Sequence, residues 1–446
     1  MPPVFDAARA IDLRYEGPGV DVTARLKSLD RKHGRTATWN LVLEEASSRC
    51  GIGGGSGTGA EDGHKHNAVD CAAIRGALSQ AERELRIFVF ELPRAFNIDF
   101  YRNLSVYRDL ARLPNPHAQS WMSKDIFEIA AMHPGYAAEV RVHDILLHSR
   151  YRTFDPDAAT LFYTPLYSGT YFWHAGWDGI DEVRDYIRAA YSFLRHRYPR
   201  YIHPKSKVRN NLVAMTHDVG GLYWPEDVPK DQFIFFGSSD SCHIVIPPCC
   251  APVDNFRMAA SLRLAGFVPS MRKQVDVFFS GSQAVQFRNL FMDAYDTWRS
   301  DGSVQQGLRF PPTGDTRNLF HNSTACFVPR GWAEWTGRDV EAVFAGCIPI
   351  SFGSKKWPFR SFIRWPELGI NIPTESAEGL RGALAVVSAA VHNEDFVRSA
   401  QQELQYVWPL LTFIPSAART RATREEDLID GFALFVAELV GWLPRT

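Results

Sequence analysis

The chain has 446 residues, of which 45% are hydrophobic, 13% aromatic and 22% charged, so it should form about two or three globular domains rather than one ordinary core. Its 49 basic and 50 acidic residues give a net charge of −1, which excludes an electrostatic case for binding nucleic acid or an anionic membrane. Seven cysteines are too few for a disulfide scaffold, and no Cys-x-x-Cys pair indicates zinc or redox chemistry.

Residues 1–85 are predicted to form an N-terminal extension. It contains the tract CGIGGGSGTGAEDGHKHN, whose composition is typical of a flexible linker. The first 30 residues hold no apolar run approaching the roughly 18 residues that a membrane helix requires. We therefore expect no signal or anchor within this chain.

From Arg86 to Ser270, short apolar strands alternate with helical patterns. Strands are predicted in RIFVFEL, TLFYTPLY, NNLVAMTH, QFIFFGS and HIVIPP, and a helix in DEVRDYIRAAYSFLRHR. Apolar strands separated by helices favour a parallel sheet that is covered on both faces. His217 and Asp218 follow NLVAMT of the third strand, at the sheet edge where α/β folds bind ligands. Since adjacent strand residues point to opposite faces, one should face a ligand while the other holds the loop; a purely structural His-Asp turn is the alternative.

A second series of elements begins with the strand and glycine turn VDVFFSGS. Gly281 in this turn would permit close approach of the backbone to a ligand. Arg288 should lie early in the next helix, at the same edge of the second sheet. It is either a phosphate contact or an exposed helix arginine.

Residues 325–352 read ACFVPRGWAEWTGRDVEAVFAGCIPISF, which predicts a strand, a glycine turn at Gly331, a short helix, a glycine stop and a second strand. Thr336 and Asp339 are spaced as a capping box, so the helix should begin at about Thr336. Gly346 fits the position just past its end.

Arg338 and Glu341 lie three residues apart and should share one helix face near the end where backbone N–H groups are unpaired. A helix start that carries an arginine can bind a diphosphate, because amides and guanidinium both donate to phosphate oxygens. A glutamate one turn on can accept hydrogen bonds from ribose hydroxyls. The alternative is a packed helix with a surface ion pair.

Several segments match a known family. PRGWAEWTGRDVEAVFAGCIPI resembles the nucleotide-sugar signature of the exostosin family of inverting glycosyltransferases, with Thr336 where the family usually has Ser. RIFVFELP followed by Phe96 and Asn97 is similar to the family's opening strand, and HDILLHSRYRTFDPDAATLFYTPLY to its next motif. The HDxG, VIPP and VDVFFSGS segments and the closing helix EEDLIDGFALFVAEL follow in the family's order.

The resemblance implies an α/β fold of the GT-B type, with two Rossmann-like domains facing a cleft and a C-terminal crossover helix. The extension would be followed by an N-terminal acceptor domain at 86–270, a nucleotide-sugar donor domain at 271–420 and the crossover helix at 421–446. Thr423 and Glu426 have capping-box spacing at the start of that helix. There is room for one exostosin-type unit, as in plant or algal members.

The resemblance also implies an activity, the inverting transfer of a hexosyl or pentosyl group from a UDP-sugar to a glycan or cell-surface polysaccharide. Asp218 would be the base or acceptor contact, with His217 beside it. The alternative is a non-catalytic subunit or scaffold of a polysaccharide synthase complex. The donor-binding residues implied are Gly281, Arg288, Gly331, Thr336, Arg338 and Glu341.

No cofactor is expected, because GT-B enzymes generally stabilise the leaving diphosphate with helix amides and basic side chains. Asp155-Pro-Asp157 matches the Asp-x-Asp pattern of metal-dependent transferases. Its proline fixes a turn, however, and the triplet lies in a structural segment of the family's motif. A metal-dependent transferase built on Asp155 and Asp157 is therefore the weaker alternative.

Family members are usually Golgi proteins held by one N-terminal membrane helix, so we expect a lumenal location, with the anchor missing from this chain. A shortened chain, an incomplete gene reading or an unusual location would each explain its absence. Other glycosyltransferases are expected as partners in complexes, whereas nucleic acid is not expected as a partner.

The triplets at Asn103 and Asn322 permit N-glycosylation. Cys50 and Cys71 can close the Gly-rich tract in an oxidising lumen, whereas Cys347 is predicted to be a small buried core residue.

Overall fold

A computed structural model describes the secondary structure of much of the chain. The described residues are 43–47, 50, 68–97, 138–175, 179–203, 205–247, 273, 275–279, 289, 293, 308–309, 316–330, 336–353, 356–373, 377–414, 416–419 and 428–444.

The strands and helices of these residues alternate along the chain. The strands are β1 (Ile87–Val89), β2 (Arg152–Thr153), β3 (Leu161–Thr164), β4 (Asn211–Ala214), β5 (Phe233–Gly237), β6 (Ile244–Val245), β7 (Val275–Phe278), β8 (Leu308–Arg309), β9 (Ser323–Phe327), β10 (Ile348–Phe352) and β11 (Ile370–Ile372). The α-helices are α1 (Cys71–Glu84), α2 (Ala138–His148), α3 (Ser168–Ala175), α4 (Ile180–Arg197), α5 (Thr316–Asn322), α6 (Arg338–Ala345), α7 (Ala377–Val391), α8 (Glu394–Val407), α9 (Ser416–Arg419) and α10 (Gly431–Val440).

The chain divides into two compact units, each with its own parallel sheet. The described residues of the six-stranded unit lie within Cys71–Val253, Lys356–Phe362 and Leu411–Thr446. Those of the five-stranded unit lie within Met1–Asp70, Asp254–Lys355 and Ile363–Leu410. Two Rossmann-like units confirm the predicted α/β class of the GT-B type. No helix within the described ranges combines the length and apolarity needed to cross a membrane.

The two sheets have the same strand order. The six-stranded sheet runs β2-β1-β3-β4-β5-β6, and the five-stranded sheet, read from its other edge, runs β8-β7-β9-β10-β11. In both, the order along the chain reverses between the first and third strands, and every pairing is parallel. Ligands of doubly wound folds bind at the carboxyl ends of the strands beside this reversal.

Helix α4 illustrates why the sequence folds this way. Its residues Val183, Ile187, Ala190 and Leu194 recur at three- and four-residue intervals and are all buried. They belong to the core that packs against β3, β4 and β5. Acidic residues occupy its first turn and basic residues its last, which complements the helix dipole. The predicted helix is confirmed.

The closing helix α10 packs against α1 in the six-stranded unit, as the crossover prediction requires. The ring centroid of Phe435 lies 4.8 Å from that of Phe236 in β5. Asp430 caps the helix by accepting from Ala433 N at 3.1 Å, so the helix begins at Gly431 rather than near Thr423. Thr423 and Glu426 lie outside the described residues.

Candidate functional site

Helix α6 follows the carboxyl end of β9, the third strand of the five-stranded sheet. Its first turn is therefore connected to the sheet edge beside the reversal of strand order, where a ligand is expected. Gly346 ends the helix in the left-handed conformation, with a φ of +61°, and β10 follows as predicted. The strand, helix and strand predicted in this block are confirmed.

Arg338 and Glu341 form an ion pair on one face of α6. The side chain of Glu341 is only 8% exposed, whereas that of Arg338 is 35% exposed. The guanidinium also lies 5.7 Å from the ring centroid of Phe320 in α5. Glu341 and Phe320 thus hold an arginine whose remaining N–H groups can donate to a phosphate.

The start of α6 differs from the predicted capping box. Gly337 occupies the capping position with helical backbone angles, and no side chain caps the helix there. Thr336 instead accepts from Arg338 N at 3.4 Å, two residues on rather than three. The hydroxyl therefore orders the turn before the helix, and the prediction of a helix start at Thr336 was two residues early.

Two features at the other end of α6 were missed by sequence reasoning. Lys273 donates from Nζ to the carbonyls of Ala345 at 3.0 Å and Gly346 at 2.8 Å, which satisfies acceptors left over at the helix end. Burial lowers the pKa of the Lys273 ammonium to about 7. Cys347 is buried as predicted, but it forms a disulfide with Cys326 in β9 instead of remaining a thiol.

The remaining predicted donor residues, Gly281, Arg288 and Gly331, lie outside the described residues. Of the six, the structure brings together Thr336, Arg338 and Glu341 at one helix start. The other three stay predictions.

His217 and Asp218 follow β4 at the carboxyl edge of the six-stranded sheet. The imidazole of His217 is 1% exposed and packs against the rings of Phe172 and Tyr223. Burial lowers its pKa to about 4, so the ring is neutral at pH 7, and Nδ1 accepts from Val219 N at 3.4 Å. Asp218 is half-buried. The inward histidine is placed to hold the loop, and the aspartate is the more accessible of the two.

Asp155 and Asp157 have structural partners. Asp155 caps a short 3₁₀ turn by accepting from Asp157 N at 2.9 Å. Asp157 accepts from the hydroxyl of Tyr201 and pairs with Arg200 at 3.1 Å. Among the described residues, no group of three or more His, Cys, Asp or Glu side chains is arranged to hold a metal.

The family model of the exostosin GT47 domain matches residues 81–387. That match covers both sheets and the whole Arg338–Glu341 block, and the chain belongs to this glycosyltransferase family. The resemblance seen in its motifs is thereby confirmed.

Two relatives that the chain matches are plant proteins. The chain is 25% identical over 348 residues to a probable glucuronoxylan glucuronosyltransferase of Arabidopsis thaliana, a match that covers 72% of this chain and 68% of the relative. It is 26% identical to the probable glucuronosyltransferase Os03g0107900 of Oryza sativa subsp. japonica, covering 68% of this chain and 70% of the relative.

A solved structure also aligns with the chain. It is the crystal structure of Anabaena Alr3699/HepE in complex with UDP and glucose, with 9% identity and a TM-score of 0.30. The alignment covers 80% of this chain and 98% of that protein. Because this similarity is low, the fold is assigned from the two parallel sheets of the chain itself and not from the alignment.

Proposed function

We propose that this glycosyltransferase moves a sugar from a UDP-sugar to a hydroxyl of a glycan or cell-surface polysaccharide, with inversion at the anomeric carbon. The observation that carries the proposal is the start of α6, where Arg338 is partly exposed and held by the nearly buried Glu341. Helix amides and a guanidinium at one point are suited to the negative charge that develops on a leaving diphosphate.

In the proposed reaction, the acceptor oxygen attacks the anomeric carbon while the bond from that carbon to the UDP oxygen breaks. A base removes the hydroxyl proton as attack proceeds. Asp218 is our candidate for this base, since it is more accessible than His217 and follows a strand end. Arg338 would neutralise the departing diphosphate, and Glu341 would accept from the ribose hydroxyls when nucleotide binds.

The names of the relatives guide the choice of substrates. Because the Arabidopsis relative is named a probable glucuronoxylan glucuronosyltransferase, we propose UDP-glucuronic acid as the first donor to examine and xylo-oligosaccharides as the first acceptors. UDP-xylose, UDP-arabinose, UDP-galactose and UDP-glucose complete a panel that separates hexosyl from pentosyl transfer.

We also propose a location in the Golgi lumen. The Cys326–Cys347 disulfide supports it, because disulfides persist in oxidising compartments and are rare in the cytosol.

The test is a thermal-shift screen of the purified protein against the donor panel, followed by transfer assays with each stabilising donor. Stabilisation by one UDP-sugar and formation of an inverted product would support the proposal. Binding of UDP-sugars without transfer to any acceptor would instead indicate the non-catalytic subunit. No stabilisation by any nucleotide would overturn the assignment of the α6 site.

A further inference from the structure

Glu139 of α2 is fully buried, which is unusual for a carboxyl group and requires hydrogen-bond partners. Its Oε1 accepts from Thr170 N at 2.8 Å, and its Oε2 accepts from Gly169 N at 3.1 Å. Oε2 also accepts from Thr216 Oγ1 at 3.3 Å. One carboxyl group therefore joins the segment after β3 to the segment after β4.

The two segments approach each other closely at Gly169. A Cβ atom at this position would lie 2.2 Å from Thr216 Oγ1 and 3.4 Å from His217 N. Such a contact cannot be accommodated without a shift, so a side chain at residue 169 would displace the Thr216 hydroxyl that donates to Glu139. The position of the segment containing Thr216, His217 and Asp218 is thus coupled to the start of α3.

The helix start that follows the third strand has different partners in the two units. In each unit, a helix follows the third strand: α3 follows β3, and α6 follows β9. At the start of α6, an arginine is held where a diphosphate can bind. At the start of α3, the amides of Gly169 and Thr170 donate to Glu139 instead. In the six-stranded unit, the backbone N–H groups that could donate to a phosphate therefore already donate to a carboxyl group of the protein.

We propose that Glu139 is a positioning residue of the transfer reaction, which fixes the segment carrying Asp218 against α3 and so determines where the acceptor hydroxyl meets its base. This inference rests on the proposed function. Glu139 acts through Thr216 and the backbone of α3, and the chemistry is left to Asp218.

The kinetic test compares Glu139→Gln with variants of its hydroxyl partner. Gln keeps the volume but offers one acceptor oxygen, so part of the network joining the two segments is lost. We expect kcat/KM for a xylo-oligosaccharide acceptor to fall at least about tenfold, because small misplacements of reacting groups slow transfer strongly. UDP affinity should be unchanged. Thr216→Val should lower the same parameter, and Thr216→Ser, which restores the hydroxyl, should recover it.

Asp144 provides the matched control. It lies on the same helix, is also buried, and accepts from Ser416 N at 3.1 Å and Ser416 Oγ at 2.6 Å, and Ser416 belongs to neither of the two segments. Asp144→Asn should lower the melting temperature without a selective loss toward the acceptor. A Glu139→Gln protein that behaves like Asp144→Asn, or that loses UDP affinity in parallel, would reduce Glu139 to a structural residue and overturn the inference.

Amide hydrogen exchange separates this inference from the proposed function. In Glu139→Gln, the amides of Gly169 and Thr170 and the segment 215–221 should exchange faster, while the strands of the sheet stay protected. A wild-type protein that transfers no sugar would overturn the proposed function, and the exchange experiment would still decide whether Glu139 fixes the segment. Unchanged exchange in Glu139→Gln would overturn the inference.

Discussion

Arg338 and Glu341 form an ion pair across one turn of α6, in which the carboxylate is 8% exposed and the guanidinium 35% exposed. An exposed pair of this spacing would contribute little, because water screens both charges. Here the carboxylate of Glu341 is largely removed from water, while the guanidinium of Arg338 remains partly accessible. The pair therefore orients the guanidinium at the helix start and leaves part of it accessible to a ligand.

Arg338→Ala should abolish transfer and weaken UDP binding by about 1.5–3 kcal/mol, the range for a hydrogen bond that involves a charged group. Isothermal titration calorimetry with UDP measures the binding, and product formation measures transfer. Glu341→Gln should weaken UDP binding by less, since an amide still accepts from a ribose hydroxyl.

Arg398 is a suitable control for this experiment. It pairs with Asp395 over the same three-residue spacing in α8 of the same unit, at 3.7 Å, and its side chain is 59% exposed. Arg398→Ala should leave UDP affinity and transfer unchanged. Normal UDP affinity and activity in a folded Arg338→Ala protein would contradict the donor assignment.

Transfer should survive excess EDTA, with only a modest effect of divalent ions, because Arg338 and the α6 amides supply the positive charge near the diphosphate. Asp155→Asn should also remain active, since an asparagine can keep the capping contact with Asp157 N. Complete loss of activity in EDTA that Mn²⁺ restores would favour the Asp155–Asp157 alternative.

Removing the Cys326–Cys347 disulfide should lower the free energy of unfolding by about 3 kcal/mol, given its sequence separation of 21 residues. The double variant Cys326→Ala/Cys347→Ala, compared with wild type in urea, measures this. Cys242, a buried free thiol, is the control. Cys242→Ala removes no covalent cross-link, so it should lower the free energy of unfolding by less than the double variant does. Equal stability of the double variant and wild type would show that the disulfide does not contribute.

Much of this fold could be predicted from local pattern. The strands around Phe162, Leu212 and Ile350 are short apolar runs between helices, and each is buried in a parallel sheet. Gly346 was predicted at the end of α6 because a left-handed residue there favours glycine. These features depend on neighbours in sequence, so the sequence alone indicates them.

The features that were missed depend on residues far apart in the chain. Lys273 donates to Gly346, 73 positions away, and Glu139 accepts from Thr216, 77 positions away. No local spacing encodes such contacts, and a lone lysine or glutamate in sequence is most often a surface residue. The start of α6 was misplaced for a local reason, because the hydroxyl of Thr336 accepts from Arg338 N and Gly337 takes the capping position without a side-chain cap.

The pH dependence of stability should differ between wild type and Glu139→Gln. Burial raises the pKa of Glu139 from 4.5 to about 7, so its stabilising contribution is present at low pH and is lost as pH rises through this range. Burial lowers the pKa of His143 from 6.5 to about 3 and that of His217 to about 4, so their contributions are present above pH 6.5 and are lost on acidification.

The two effects oppose each other in wild type, whereas Glu139→Gln keeps the histidines and loses the opposing carboxyl group. Between about pH 7.5 and about pH 5.5, the variant should therefore lose roughly 2 kcal/mol more unfolding free energy than wild type. Urea unfolding at several pH values measures the difference. Parallel pH profiles of the two proteins would show that Glu139 does not titrate in this range.

Asp218→Asn decides the role of the candidate base. The substitution preserves shape and most hydrogen bonding but removes basicity, and a general base typically contributes on the order of 10²–10⁴-fold. Turnover should collapse while UDP affinity and melting temperature stay near wild type.

Asp227 is the control for Asp218, because it is an exposed aspartate of the same unit that pairs with Arg188 at 2.8 Å, and Asp227→Asn should remain fully active. Persistent turnover in Asp218→Asn would place the base elsewhere in the six-stranded unit. A lowered melting temperature in the absence of UDP would make the His217–Asp218 turn structural, because a lost structural hydrogen bond lowers stability before it alters chemistry. That outcome would favour the non-catalytic subunit over the transferase.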